Sequence, residues 1–167
     1  HVGNYEEFFS VLEEQSIVVE GIQQLRMWRL MARLSRDQLQ TPATAIEHFR
    51  MVLDVEPQDP EAVVSLTDLY RDGEMWDEFI EMLSLHASFA SDVDERKTLL
   101  AEAGLVLKET LGKPQDAIAK FQEILDLDPN DDEALAYLHI LYEETGGFEE
   151  LEDVLSRRAY RTEDKDE

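Results

Sequence analysis

The stretch Ala45–Ala62, AIEHFRMVLDVEPQDPEA, returns 72 residues later as Ala117–Ala134, AIAKFQEILDLDPNDDEA. The correspondence continues without a gap on both sides. Leu66, Leu69 and Tyr70 return as Leu138, Leu141 and Tyr142, and Trp76 returns as Phe148. Leu83 and Ala87 return as Leu155 and Ala159, and upstream Leu39 and Pro42 return as Leu111 and Pro114. A fixed period of this kind restricts the chain to an array of like units. No single unit can bury its apolar face alone, so each must stack on the next.

The apolar spacing says what the units are. Tyr5–Val19 carries Phe8, Phe9, Val11, Leu12, Val18 and Val19 at three- and four-residue intervals, which predicts a helix. Tyr5, Phe8 and Leu12 stand where Trp76, Phe79 and Leu83 stand, at an offset of 71. The first helix is thus the second half of a hairpin, and the chain is expected to be a fragment of a longer array. A second helix is predicted over 22–39. Thr41 and Pro42 form a start signal for a third over 43–56, closed by Pro57. Asp59 and Pro60 open a helix to Arg71, stopped by Gly73. Trp76–Ala90 follows, and Asp92 with Glu95 opens a helix to Thr110. Pro114–Asp128, Asp131–Thr145 and Phe148–Arg158 bring the total to about nine helices. Short connections force antiparallel neighbours. The expected fold is all-α, a right-handed α-α superhelix of helical hairpins forming one array over residues 1–160. The remainder, 161–167 (RTEDKDE), reads as a charged flexible tail.

The unit A-x3-F…P, present as Ala45/Phe49/Pro57 and Ala117/Phe121/Pro129, resembles the second half of the tetratricopeptide repeat. Leu66 and Tyr70, and again Leu138 and Tyr142, sit at that repeat's L and Y positions. The small residue that follows its Leu is Ala32, Thr67, Gly104 and His139 in successive first helices, and His139 fits poorly. The resemblance covers nearly the whole chain and is of a divergent bacterial type, two unlike hairpins alternating. It implies a non-enzymatic scaffold that binds a protein or peptide along a concave face lined by the first helix of each hairpin. Two other roles are compatible with it: a docking or regulatory arm of a larger enzyme or assembly machine, and a self-associating structural spacer.

By the family's spacing, the groove-facing residues of the second helix are Arg26, Arg29, Arg33 and Arg36. These four fall within eleven positions of a chain that has 15 basic residues and a net charge of −24. Arginine forks suit carboxylates, so the stripe is a candidate clamp for an acidic segment or a C-terminal carboxylate. The competing expectation is that it pairs with Glu13, Glu14, Glu20 and Glu47 on neighbouring helices. The same positions further along are Val64, Asp68 and Arg71, then Ala101, Leu105 and Lys108, then Ala136 and Ile140. The groove is therefore expected to be basic at one end and partly apolar at the other.

Charge and composition narrow the partner. The acidic balance argues against nucleic acid or an anionic membrane and favours a basic or mixed-charge protein. No cysteine is present, which excludes thiol chemistry and fits a reducing compartment; a cytoplasmic setting is expected. No apolar run reaches the roughly 20 residues of a membrane helix, and no signal peptide is recognised. Asp126, Asp128, Asn130 and Asp132 imitate the start of a calcium loop, but Asp131 and Tyr137 stand where that loop needs Gly and Glu. His1, His48, His86 and His139 share no metal spacing. No cofactor, metal or catalytic residue is expected. The uncapped helices Tyr5–Val19 and Phe148–Arg158 are candidates for end-to-end association.

Overall fold

The structure is a computed structural model that describes residues 2–165, with side-chain surroundings for 3–156. Among the described residues it contains nine α-helices and no strand. They are α1 (Val2–Val18), α2 (Ile22–Leu34), α3 (Pro42–Val55), α4 (Pro60–Asp72) and α5 (Trp76–Phe89). After them come α6 (Val93–Leu105), α7 (Pro114–Leu127), α8 (Asp132–Thr145) and α9 (Phe148–Lys165). Asp59, Asp92 and Asp131 cap α4, α6 and α8 with their side chains, whereas Thr41, expected to cap α3, makes no such bond and its hydroxyl turns to Ser35 O at 3.5 Å. Asp59 Oδ1 accepts from Ala62 N at 2.7 Å, and its repeat counterpart Asp131 Oδ1 accepts from Ala134 N at 2.8 Å. Prolines open α3, α4 and α7, where the missing N–H costs nothing.

Three details differ from the sequence expectation. The second and sixth helices end in wide π-helical turns, Ser35–Leu39 and Val106–Thr110. Helix α9 runs on to Lys165 instead of closing at Arg158, since the intervening residues hold neither Gly nor Pro to stop it. Residues 161–165, read as the start of a charged tail, thus lie in its backbone, while His1 and 166–167 fall outside the described residues.

The chain divides into two compact units, His1–Met82 and Leu83–Glu167, with the boundary inside α5. In the first unit α2 packs against α1 and α3, and α3 against α4. Its core is built from Leu25, Met31, Ala32, Phe49, Val52, Val63, Leu66 and Tyr70. In the second unit α7 packs against α6 and α8, and α8 against α9, around Leu100, Ala103, Phe121, Ile124, Leu135, Leu138 and Leu141. Phe49 and Phe121, one period apart, are each fully buried.

The period holds at the level of backbone torsions. Gln40 and Gly112 both adopt the left-handed conformation, at φ 52° and 61°. Thr41 N donates to Ser35 O at 2.9 Å, and Lys113 N donates to Leu107 O at 2.8 Å. Glu56 N donates to Val52 O at 2.8 Å, and Asp128 N to Ile124 O at 2.9 Å. These turn and cap bonds recur one period apart, with different side chains hung on the two frames.

Candidate functional site

In the first unit the arginine stripe of α2 faces the start of α4. The Arg29 guanidinium donates to Glu56 and, at 2.6 Å, to Asp59, whose side chain is only 9% exposed. Arg33 forks onto Glu61 through Nε and Nη2. Arg36 donates to Asp37 at 2.6 Å and to Ser65 Oγ, and its guanidinium lies 5.6 Å from the centre of the Phe49 ring. Burial works against the Arg29 charge, but its bonds to Asp59 and Glu56 more than offset it, and the net direction is upward. Hydrogen bonds to Glu61 and Asp37 likewise raise Arg33 and Arg36, and Arg36 holds Asp37 below the usual carboxylate range.

Three members of the stripe are thus paired internally, with acids of the α2 turn, the α3–α4 connection and α4. These partners are not the expected Glu13, Glu14, Glu20 and Glu47. Spacing along α2 identified the cations, but the acids of Arg29 and Arg33 arrive from the α3–α4 connection and the start of α4, which helical spacing does not reach. Arg26 is exposed, as are Val64 and Asp68. Arg71 pairs with Asp68 at 3.7 Å and lies 4.9 Å from the centre of the Phe79 ring.

The second unit presents the same acids to a different set of side chains. Asp128, Asp131 and Glu133 are the counterparts of Glu56, Asp59 and Glu61, while Ala101 and Leu105 stand in place of Arg29 and Arg33. The cation comes from one turn earlier on α6. Lys97 Nζ lies 2.9 Å from Asp131 and 3.4 Å from Asp128. Hydrogen bonding to Asp131 and Asp128 raises Lys97 above the lysine range. Burial opposes the Asp131 charge, but bonds from the Ala134 N–H and Lys97 bring it below the usual value. Of the residues that imitated a calcium loop, Asp128 is engaged by this ammonium.

Lys97 does not fill the space that Ala101 leaves. A cavity of about 180 Å³ opens between α6, α7 and α8, lined by Lys97, Thr98, Ala101, Phe121, Ile124 and Glu133 among others. Where Arg36 covers the Phe49 ring in the first unit, Tyr137 stacks on Phe121 at 4.7 Å and 16°. Of the expected groove residues, Ala101, Leu105 and Ala136 are half-buried and Ile140 is 43% exposed. Lys108 reaches Glu144 at 3.3 Å. Lys97, Glu133 and Tyr137 were not anticipated. The 72-residue offset of the three acids was the available signal, since it poses the question of which cation answers them twice.

Three solved structures of MamA, a TPR-like protein, align over nearly the full chain. One is 14% identical at a TM-score of 0.50, covering 96% of this chain and 92% of that one. A second is 15% identical at 0.52, covering 98% and 85%. The third, MamA AMB-1, is 19% identical at 0.52, covering 96% and 84%. The fold is a helical repeat of tetratricopeptide type. Folds of this type serve generally as scaffolds for protein interaction. No protein-family model matches the chain, and no curated protein matches it in sequence. No described helix is long and apolar enough to cross a membrane.

Proposed function

We propose that this chain is a non-enzymatic protein-binding module that takes a partner segment along the α6–α8 face of its second unit. One observation carries the reading. The first unit's equivalent face is closed by arginine–carboxylate pairs, whereas the second unit offers a cavity beside accessible apolar side chains, Leu105 and Ile140 among them. Apolar anchors within acidic surroundings suit an amphipathic segment bearing basic residues, in keeping with the net charge of −24. The clamp for an acidic segment is the less favoured reading, because such a ligand must compete with Glu56, Asp59 and Glu61 for the same arginines.

Selection of random 12-residue peptides on the wild type and on a Leu105→Glu/Ile140→Glu variant tests this. Basic, apolar binders lost in the variant support the assignment. Acidic binders that survive it but are lost in Arg33→Glu would move the site to the first unit.

A second reading is self-association through α1. Tyr5, Phe8 and Val11 are 39–48% exposed, while Phe79, the counterpart of Phe8, is 1% exposed. A rise in sedimentation coefficient with concentration that Phe8→Glu abolishes would favour it.

A further inference from the structure

The cavity beside Ala101 has a counterpart in the first unit, and there it is occupied. Arg29 runs from the equivalent position of α2 to Glu56 and Asp59, and Arg33 one turn on forks onto Glu61. The second unit keeps all three acids as Asp128, Asp131 and Glu133, and the backbone torsions at Glu56 and Asp59 agree with those at Asp128 and Asp131 within 15°. It loses both arginines, to Ala101 and Leu105. Lys97 answers Asp128 and Asp131 from the side, leaving Glu133 exposed at the cavity wall. The cavity therefore has an apolar floor of Ala101, Ile124 and Phe121, and Asp94, Lys97, Asp131 and Glu133 stand around its wall.

From this we infer that the cavity is a receptor for an arginine side chain of the partner segment, which gives Glu133 the countercharge that Arg33 gives Glu61 in the first unit. The guanidinium forks onto Glu133, as that of Arg33 does onto Glu61, and its methylene stem lies along Ala101 and Phe121. Arginine suits the slot better than lysine because a planar fork engages both oxygens of one carboxylate, and its weaker hydration lowers the cost of entering an apolar-floored site. The inference rests on the proposed α6–α8 binding face and names the chemistry of its anchor.

The probe is N-acetyl-arginine amide, titrated into the full chain with the Ala101, Ala134 and Ile124 methyl resonances observed by NMR. N-acetyl-lysine amide and N-acetyl-leucine amide serve as controls. Saturable methyl shifts are expected with the arginine compound, weaker with lysine and absent with leucine. Glu133→Gln, an exposed substitution that leaves the core intact, weakens the arginine affinity on the order of tenfold. Ala101→Arg supplies the missing side chain internally, so it abolishes the shifts while circular dichroism shows the helices retained. No arginine-dependent shift in the wild type, or the same affinity in Glu133→Gln, overturns the slot. The wider binding face is judged separately: peptides without arginine that are lost in Leu105→Glu/Ile140→Glu leave that face standing while the slot falls.

Discussion

The two units solve one packing problem with opposite chemistry. Each has a buried phenylalanine, Phe49 or Phe121, under the seam between consecutive hairpins. In the first unit the seam is closed by guanidinium groups, with Arg36 over the ring and Arg29 and Arg33 on the next cap's acids. In the second it is closed by Tyr137 stacked on the ring and one lysine, leaving room beside them. A repeat frame fixes where side chains project, and chemistry can then diverge position by position. What the comparison teaches is that one repeat frame can close its seam with internal ion pairs in one copy and leave a cavity there in the other.

The largest test removes the shared element. Phe121→Ala is expected to destabilise by about 4 kcal/mol, and Phe49→Ala by a similar amount, because both rings are fully buried. Unfolding free energies from denaturant titration that differ by more than ~2 kcal/mol between the two variants would break the equivalence of the frames. Next comes Arg29→Ala, expected to cost about 2 kcal/mol. It strips the nearly buried Asp59 of its countercharge, though Ala62 N–H still bonds that carboxylate. The reverse change, Ala101→Arg, is expected to raise the melting temperature.

Smaller effects follow from the left-handed position. Gln40→Gly should stabilise by about 0.5–1 kcal/mol and Gly112→Gln should destabilise by as much, since a Cβ is disfavoured at φ 52–61°. Ser35→Ala is expected to be stabilising by up to about 1 kcal/mol. The Ser35 hydroxyl is buried without a hydrogen-bond partner, where the second unit carries Leu107. The acid limb provides a further discriminator. Asp131 and Asp37 sit below their ordinary value of 3.8 when folded, so the folded chain binds fewer protons there than the unfolded one. Their contribution is present at neutral pH and fades as pH falls below about 4. Asp131→Asn should flatten that loss in urea titrations at pH 3–4. The smallest expected change is Arg33→Ala, under about 1 kcal/mol and shrinking with salt, because that pair is half exposed.

Much of the architecture was legible in the sequence because it depends on local signals. Asp59 and Asp131, Pro42 and Pro114, and the apolar stripes of α3 and α7 each act within a turn or two of chain. The π-helical turns at Ser35 and Val106 were not legible, since they are closed by backbone bonds five residues apart, Gln40 N to Ser35 O and Leu111 N to Val106 O, which no side-chain pattern announces. The candidate site was half legible. Arg29, Arg33 and Arg36 were visible as one helix face, yet the acids that Arg29 and Arg33 meet sit 27 to 30 residues away at the start of α4 and just before it. Lys97 was overlooked because it lies one turn off the register that the resemblance prescribes, and Glu133 because an acid in a chain of 39 acids carries no signal by itself.

Within each unit the helices pack on their neighbours in sequence, α1 on α2, α2 on α3, α3 on α4, and α6 on α7 and so on to α9. Loop closure between such neighbours costs little entropy, and chains dominated by short-range contacts fold on the microsecond-to-millisecond scale. Each hairpin finds its mate as soon as the next helix leaves the ribosome, so assembly can keep pace with synthesis and need not wait for the carboxyl end.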